Sequence, residues 1–136
     1  MAWLTKSRFT AGLQCAKRLW NEVHEPLAGG VPDSTAFMNG RAVDRLVQTL
    51  QPGTVISREA GMPAAIAETS RLLRGGAPPV LYQPAFRAGD LAVIADVLRI
   101  SGTHATLVEV KSSTGVKPEH LPDVGFQALV LRQCRV

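Results

Sequence analysis

The chain has 136 residues, a formal charge of +4 and an apolar fraction of 46%. That length fits a single domain spanning residues 1–136, and such a chain buries roughly two thirds of its unfolded surface. The apolar fraction excludes a disordered chain, and no stretch of about 20 apolar residues is present to cross a membrane.

The opening Met1-Ala2-Trp3-Leu4-Thr5-Lys6 has no apolar run behind a basic start, so no signal peptide and a cytoplasmic location are expected. Residues 5 to 24 read as one helix, because Phe9, Leu13, Ala16 and Trp20 recur at spacings of three and four. Thr5 or Ser7 caps it. Its basic residues, Lys17 and Arg18 above all, are candidate nucleic-acid contacts. A solvated basic face fits the same composition. Pro26, Gly29, Gly30 and Pro32 form a loop, and Asp33 or Ser34 starts a second helix through Phe37, Val43, Leu46, Val47 and Leu50, ended by Pro52-Gly53. Thr54 to Arg58 reads as a short strand. Pro63 to Arg74 reads as a third helix, with Pro63 in its first turn and Gly75-Gly76 beyond its end.

Three strand-like runs follow, at 80–87, 91–100 and 105–112, and a last helix starts at Pro122. The expected order is α-α-β-α-β-β-β-α, a mixed sheet with helices packed on it. The last helix carries Leu129, Val130 and Leu131 with no cap or partner element after it, which suits a fragment of a longer protein or a frayed end. Cys15 and Cys134 are far apart in sequence. A reduced pair is expected, and two thiolates do not complete a four-ligand site.

The runs 91–100 and 105–112 each carry an acid inside an apolar stretch: Asp96 in one, Glu109 in the other. Side chains alternate along a strand, so Glu109 and Lys111 share a face with Leu107, and Asp96 shares one with Ile94 and Leu98. A two- or four-residue turn pairs position 100 with 105 and sets Asp96 opposite Glu109. A three-residue turn breaks that pairing. Opposed carboxylates repel, and a divalent cation between them relieves the repulsion. On this reading Glu109→Gln raises the stability of the metal-free chain. The same pattern also fits a surface hairpin with two solvated acids and a cross-strand lysine.

Asp96, twelve residues, then Glu109-Val110-Lys111 resembles the D…(D/E)-x-K signature of the PD-(D/E)XK nucleases. Glu109-Val110-Lys111-Ser112-Ser113 followed by Asp123-x-x-x-Gln127 resembles the RecB-type branch, in which a helix glutamine lies near the active site. Leu4-Thr5-Lys6-Ser7-Arg8-Phe9 and Cys15-Ala16-Lys17-Arg18-Leu19-Trp20 resemble the opening of that branch. Nearly the whole chain is thus similar to the N-terminal part of longer bacterial RecB-like proteins and to the CRISPR-adaptation nucleases.

The resemblance implies a restriction-endonuclease-like core with a central mixed sheet, and Mg²⁺ or Mn²⁺ as cofactor. It implies hydrolysis of DNA phosphodiesters, commonly exonucleolytic, in repair, recombination or defence. Asp96, Glu109, Lys111 and Gln127 become the catalytic set, with Asp96 and Glu109 as metal ligands. Gly40-Arg41-Ala42-Val43-Asp44 resembles the helix in which a Gly precedes a His or Glu by four, which implies Asp44 as a third metal ligand, directly or through water; a solvated helix acid near Arg41 and Arg45 fits the same residues. Cys15 matches the first ligand of the iron-sulfur cluster of many relatives. A cluster requires further cysteines in a longer chain, and otherwise Cys15 is a small buried side chain beside Trp20. The alternative to an enzyme is an inactive nucleic-acid-binding module with the same fold. Additional domains or partner proteins in a longer chain fit either reading.

Overall fold

The computed structural model describes residues 3–26 and 35–136. It is an α/β fold with two mixed sheets and five helices among the described residues. In chain order these are β1 (Leu4–Thr5), α1 (Lys6–Gln14), α2 (Ala16–His24), α3 (Thr35–Leu50), β2 (Thr54–Val55) and α4 (Met62–Arg74). Then come β3 (Val80–Tyr82), β4 (Ala85–Ala88), β5 (Leu91–Ile94), β6 (Val97–Ser101), β7 (His104–Val108) and α5 (His120–Gln133).

One sheet runs β1-β5-β4 and the other β2-β3-β6-β7. They are two halves of one long, bent hairpin. Tyr82 pairs with Val97 in one sheet and Ala85 with Ile94 in the other, so two residues intervene on each side, Gln83-Pro84 and Ala95-Asp96. No register is lost across the bend, because Gln83 N–H donates to Asp96 O at 3.0 Å and Ala95 N–H to Pro84 O at 3.0 Å. The bend has a local cause. Gln83 sits at φ 56°, a left-handed conformation, and Pro84 has no N–H to give a ladder. The expected strands 80–87 and 91–100 are therefore each split in two, and a single central sheet becomes two joined ones.

Both hairpin turns hold two residues with glycine first, Gly89-Asp90 and Gly102-Thr103, at φ 58° and 57°. A tight two-residue turn with glycine in its first position needs that positive φ.

The opening also departs from the expected single helix. Cys15 is extended, at φ −165° and ψ 126°, and separates α1 from α2. The apolar stripe is broken there, so Leu13 and Trp20 remain 57% and 51% exposed, and only Phe9 packs inward. Cys15 is itself exposed, which corrects the expectation of a buried side chain. The loop glycines and Pro32, and the start at Asp33 or Ser34, lie outside the described residues.

Elsewhere the punctuation residues act as expected. Pro63 stands in the first turn of α4 and Gly75 caps its end. Thr69, buried on α4, donates to Ala65 O at 2.8 Å and accepts Ala85 N–H at 3.0 Å, tying helix to strand. The main core lies where α1, α4 and α5 meet the strands, around Leu81, Phe86, Val93, Leu98, Phe126 and Val130. A smaller cluster of Val80, Tyr82 and Val97 receives Val47 of α3. There Tyr82 Oη donates its one proton to Gln51 O at 2.6 Å, just past the end of α3, and lies 3.2 Å from Val47 O, which already accepts the Gln51 N–H. Gly53 passes so close that a Cβ would meet Val80 O at 2.9 Å. No helix among the described residues is long and apolar enough to cross a membrane.

Candidate active site

The register of β6 and β7 runs from Ser101↔His104 to Val97↔Val108. One step further along it, Asp96 stands across from Glu109. With two residues in the turn, Asp96, Glu109 and Lys111 share the sheet face of Leu98 and Leu107, whose side chains join the main core. The ladder stops at this point because Asp96 Oδ2 takes the Val110 N–H, at 2.8 Å. Strand β7 therefore ends at Val108 rather than at 112. Asp96 owes its place to the bend of the long hairpin, and Glu109 to the strand end beside it.

Glu109 is enclosed, with its side chain 5% exposed. Its Oε1 accepts from Lys6 Nζ at 2.9 Å and lies 2.6 Å from Lys111 Nζ, and its Oε2 accepts from Gln127 Nε2 at 2.8 Å. Asp123 of α5 closes the cage. Its Oδ2 accepts from Lys111 Nζ at 2.7 Å and its Oδ1 from Gln127 Nε2 at 3.2 Å, with Lys6 Nζ 3.7 Å from Oδ1. Two ammonium groups and one amide thus hold two carboxylates. Helical spacing accounts for the α5 half, since Asp123 and Gln127 are four apart and lie one above the other. Gln127 is buried, and its Oε1 has no hydrogen-bond partner among the described residues. Its amide cannot be turned around, because that would set the oxygen against both carboxylates.

The two opposed acids titrate in opposite directions. Burial pushes Asp96 up to about 6, helped by the negative charge of Glu109 and resisted by the Val110 hydrogen bond and Lys6. Burial alone would also raise Glu109, but hydrogen bonds from Lys111, Gln127 and Lys6 hold it down at about 2. Burial works against the Lys111 ammonium too, yet Asp123 and Glu109 keep it charged well above its ordinary range. Asp44 is raised, first by burial and then by the charge of Glu109.

These groups line a cleft of about 750 Å³ between α3 and the strand ends. Asp44, Asp96, Glu109 and Lys111 line it together with Arg41, Arg45, Gln48 and Arg58. No family model, no curated protein and no solved structure matches this chain. The site therefore stands on its own geometry.

That geometry brings Asp96, Glu109, Lys111 and Gln127 together and adds Asp44 across the cleft. It does not bring Lys17 or Arg18 there. Both are exposed on α2, where Arg18 pairs with Glu22 at 3.2 Å and also bonds Gln14. Cys15 lies between α1 and α2, whereas Cys134 donates to Arg87 O at 3.3 Å and has its thiol raised by burial. Sequence reasoning missed Lys6 and the role of Asp123. The signal for Asp123 was present, since it occupies the same helix face as Gln127. Lys6 gave none, because only the parallel pairing of β1 with β5 carries the start of α1 to Glu109.

The oxygen donors of Asp44, Asp96 and Glu109 suit a hard divalent cation. Among the described residues, however, no group of three His, Cys, Asp or Glu side chains is already gathered closely enough to hold one. Glu109 Oε1 is already engaged by Lys6 and Lys111, and Oε2 by Gln127.

The opposite shifts predict a pH profile for the metal-free chain. The folded-state value of Asp96 lies above its ordinary 3.8, so its contribution to stability is full below about 4 and lost as the pH rises through about 6. Glu109 is depressed, so its contribution is present above about 4.5 and lost as the pH falls toward about 2. Asp96→Asn should abolish the decline between about pH 4 and 6 and keep the acid loss below it. Urea unfolding across that range, with chelator present, checks this. A parent chain that gains stability from pH 4 to 6 would contradict the assigned environment of Asp96.

Proposed function

We propose that the chain is the core of a metal-dependent nuclease that hydrolyses DNA phosphodiester bonds, with a restriction-endonuclease-like fold and a cytoplasmic place of action. The observation that carries this reading is the opposition of Asp96 and Glu109, with Lys111 beside them, in a cleft that arginines also line. Acids alone would repel a polyanion. Arg41, Arg45 and Arg58 make the same cleft a fit for a phosphate backbone.

A bound Mg²⁺ or Mn²⁺ would supply an activated water and offset charge developing on the phosphoryl oxygens. Asp96, Glu109 and Asp44 are the side chains to hold it. Lys111, kept charged by Asp123 and Glu109, places a cation where a phosphoryl oxygen would gain negative charge. Asp123 and Gln127 fix the directions of Lys111 and Glu109. Arg45 and Arg58 hold flanking phosphates.

One observation favours a second reading, a nucleic-acid-binding module without catalysis. Glu109 already has its charge matched by Lys6 and Lys111, so the cage needs no metal for its own stability. DNA binding separates from cleavage in the Asp96→Asn background with chelator. There Arg58→Glu should weaken binding and reduce the slope of log K against log salt by about one, as for one lost phosphate contact. Lys17→Glu should leave the slope as it is, because Lys17 does not line the cleft. Fluorescence anisotropy of a labelled duplex over a salt series reads both. Equal loss in the two variants would route the nucleic acid over α2 instead.

A further inference from the structure

Lys6 is unused by the proposed chemistry, yet it sits in the tightest part of the site. It is the first residue of α1, and its ammonium reaches Glu109 Oε1 at 2.9 Å from a side chain that is 28% exposed. Lys111 reaches the same oxygen at 2.6 Å. Oε1 thus carries two ammonium donors while Oε2 carries Gln127 alone, so a cation binding Glu109 through Oε1 must displace a donor already there.

The three donors differ in how readily they leave. Gln127 is fully buried and bridges Glu109 and Asp123. Lys111 has a second strong partner in Asp123 Oδ2, at 2.7 Å, which anchors it beside Glu109. Lys6 has Glu109 as its one hydrogen-bonded carboxylate among the described residues, and Asp123 Oδ1 waits at 3.7 Å. A short movement of the Lys6 ammonium from Glu109 to Asp123 would free Oε1 on one side without stranding a charge in a buried place. Breaking a buried pair is costly chiefly when a partner is left uncompensated, and Asp123 removes that cost.

We propose that Lys6 is the resident counter-ion of Glu109, displaced onto Asp123 when a divalent cation binds, so that it sets the affinity of the site for metal. This rests on the nuclease reading above, because it takes Glu109 as a metal ligand. Lys6 is on this account a positioning residue. Its ammonium competes with the metal for Glu109 in the open site and rests on Asp123 in the loaded one.

The consequence is a pair of effects of opposite sign. Lys6→Met keeps the unbranched apolar stem, one atom shorter, and removes the competitor, so it should bind Mn²⁺ more tightly by roughly fivefold, about what one part-exposed ammonium at this distance is worth. Lys6→Arg should bind like the parent. Asp123→Asn removes the place to which Lys6 retreats and loosens Lys111 onto Glu109, so it should bind Mn²⁺ more weakly. A merely structural role for the cage would weaken binding in both uncharged variants.

The experiment is a titration of Mn²⁺ followed by the loss of free-ion electron paramagnetic resonance signal, on the full chain, with circular dichroism to show that each variant is folded. Tighter binding by Lys6→Met and weaker binding by Asp123→Asn support the inference. Equal or weaker binding by folded Lys6→Met overturns it while leaving the nuclease reading intact. Absence of Mn²⁺ binding in the parent and in Lys6→Met alike overturns both. If Lys6→Met does not fold, Asp123→Asn decides, and unchanged affinity there overturns the inference.

Discussion

Glu109→Gln is expected to lower Mg²⁺-dependent DNA cleavage by on the order of a hundred- to a thousandfold, the scale for losing a preorganised group at a reacting centre. The shape of the side chain is kept and its charge is lost. The variant should also lose most of the stabilisation that Mg²⁺ gives the parent, which for a single site is about 2.7 kcal/mol at a hundredfold excess over Kd. Without metal the structure reverses the expectation drawn from the sequence. Opposed acids suggested that the glutamine variant gains stability through relief of repulsion. Glu109 is instead held well below the usual carboxylate range by Lys111, Gln127 and Lys6, so its removal leaves Asp123 alone to balance two ammonium groups and should destabilise the metal-free chain. Cleavage assays beside thermal melts with chelator and with Mg²⁺ measure both effects. Equal cleavage and equal Mg²⁺ shifts in parent and variant would remove Glu109 from the site.

The second large effect is mechanical. Phe126 of α5 is 5% exposed and stacks on Phe9 of α1, with ring centroids 4.6 Å apart and planes 13° apart. This contact joins the helix that carries Lys6 to the helix that carries Asp123 and Gln127. Phe126→Ala should cost about 3–5 kcal/mol of stability, through the lost transfer energy and the cavity left behind. It should also loosen the cage, because α1 and α5 approach Glu109 from separate parts of the chain and are aligned through this stack. Urea unfolding gives the first quantity. A loss below about 1 kcal/mol would mean that α1 is held by other contacts and that the stack is incidental.

How much of this was legible in the sequence follows from which signals are local. The strands of the β6–β7 hairpin and their faces were readable from the apolar alternation, but the pairing of Asp96 with Glu109 depended on a turn length that the sequence left open and that the two-residue turn at Gly102-Thr103 decides. Helix α4 was readable from Pro63 and Gly75. The bend at Gln83-Pro84 was not. A proline after a non-glycine residue gives no warning that the residue will take a left-handed φ, and the apolar run 80–87 reads as continuous. The division of the opening helix at Cys15 was hidden for a similar reason, since the spacing of Phe9, Leu13, Ala16 and Trp20 runs across the break. Lys6 was invisible because its place depends on the parallel pairing of Leu4 and Thr5 with Leu91 and Ala92, a contact between distant parts of the chain.

The measurement that bears most directly on the central claim is cleavage of end-labelled DNA by the parent chain with Mg²⁺ and, in parallel, with chelator. The expected result is strand cleavage that requires the cation and disappears in Asp96→Asn and Glu109→Gln. Intact DNA in both conditions, bound by a folded chain in the arginine-lined cleft, would contradict it and leave a nucleic-acid-binding module.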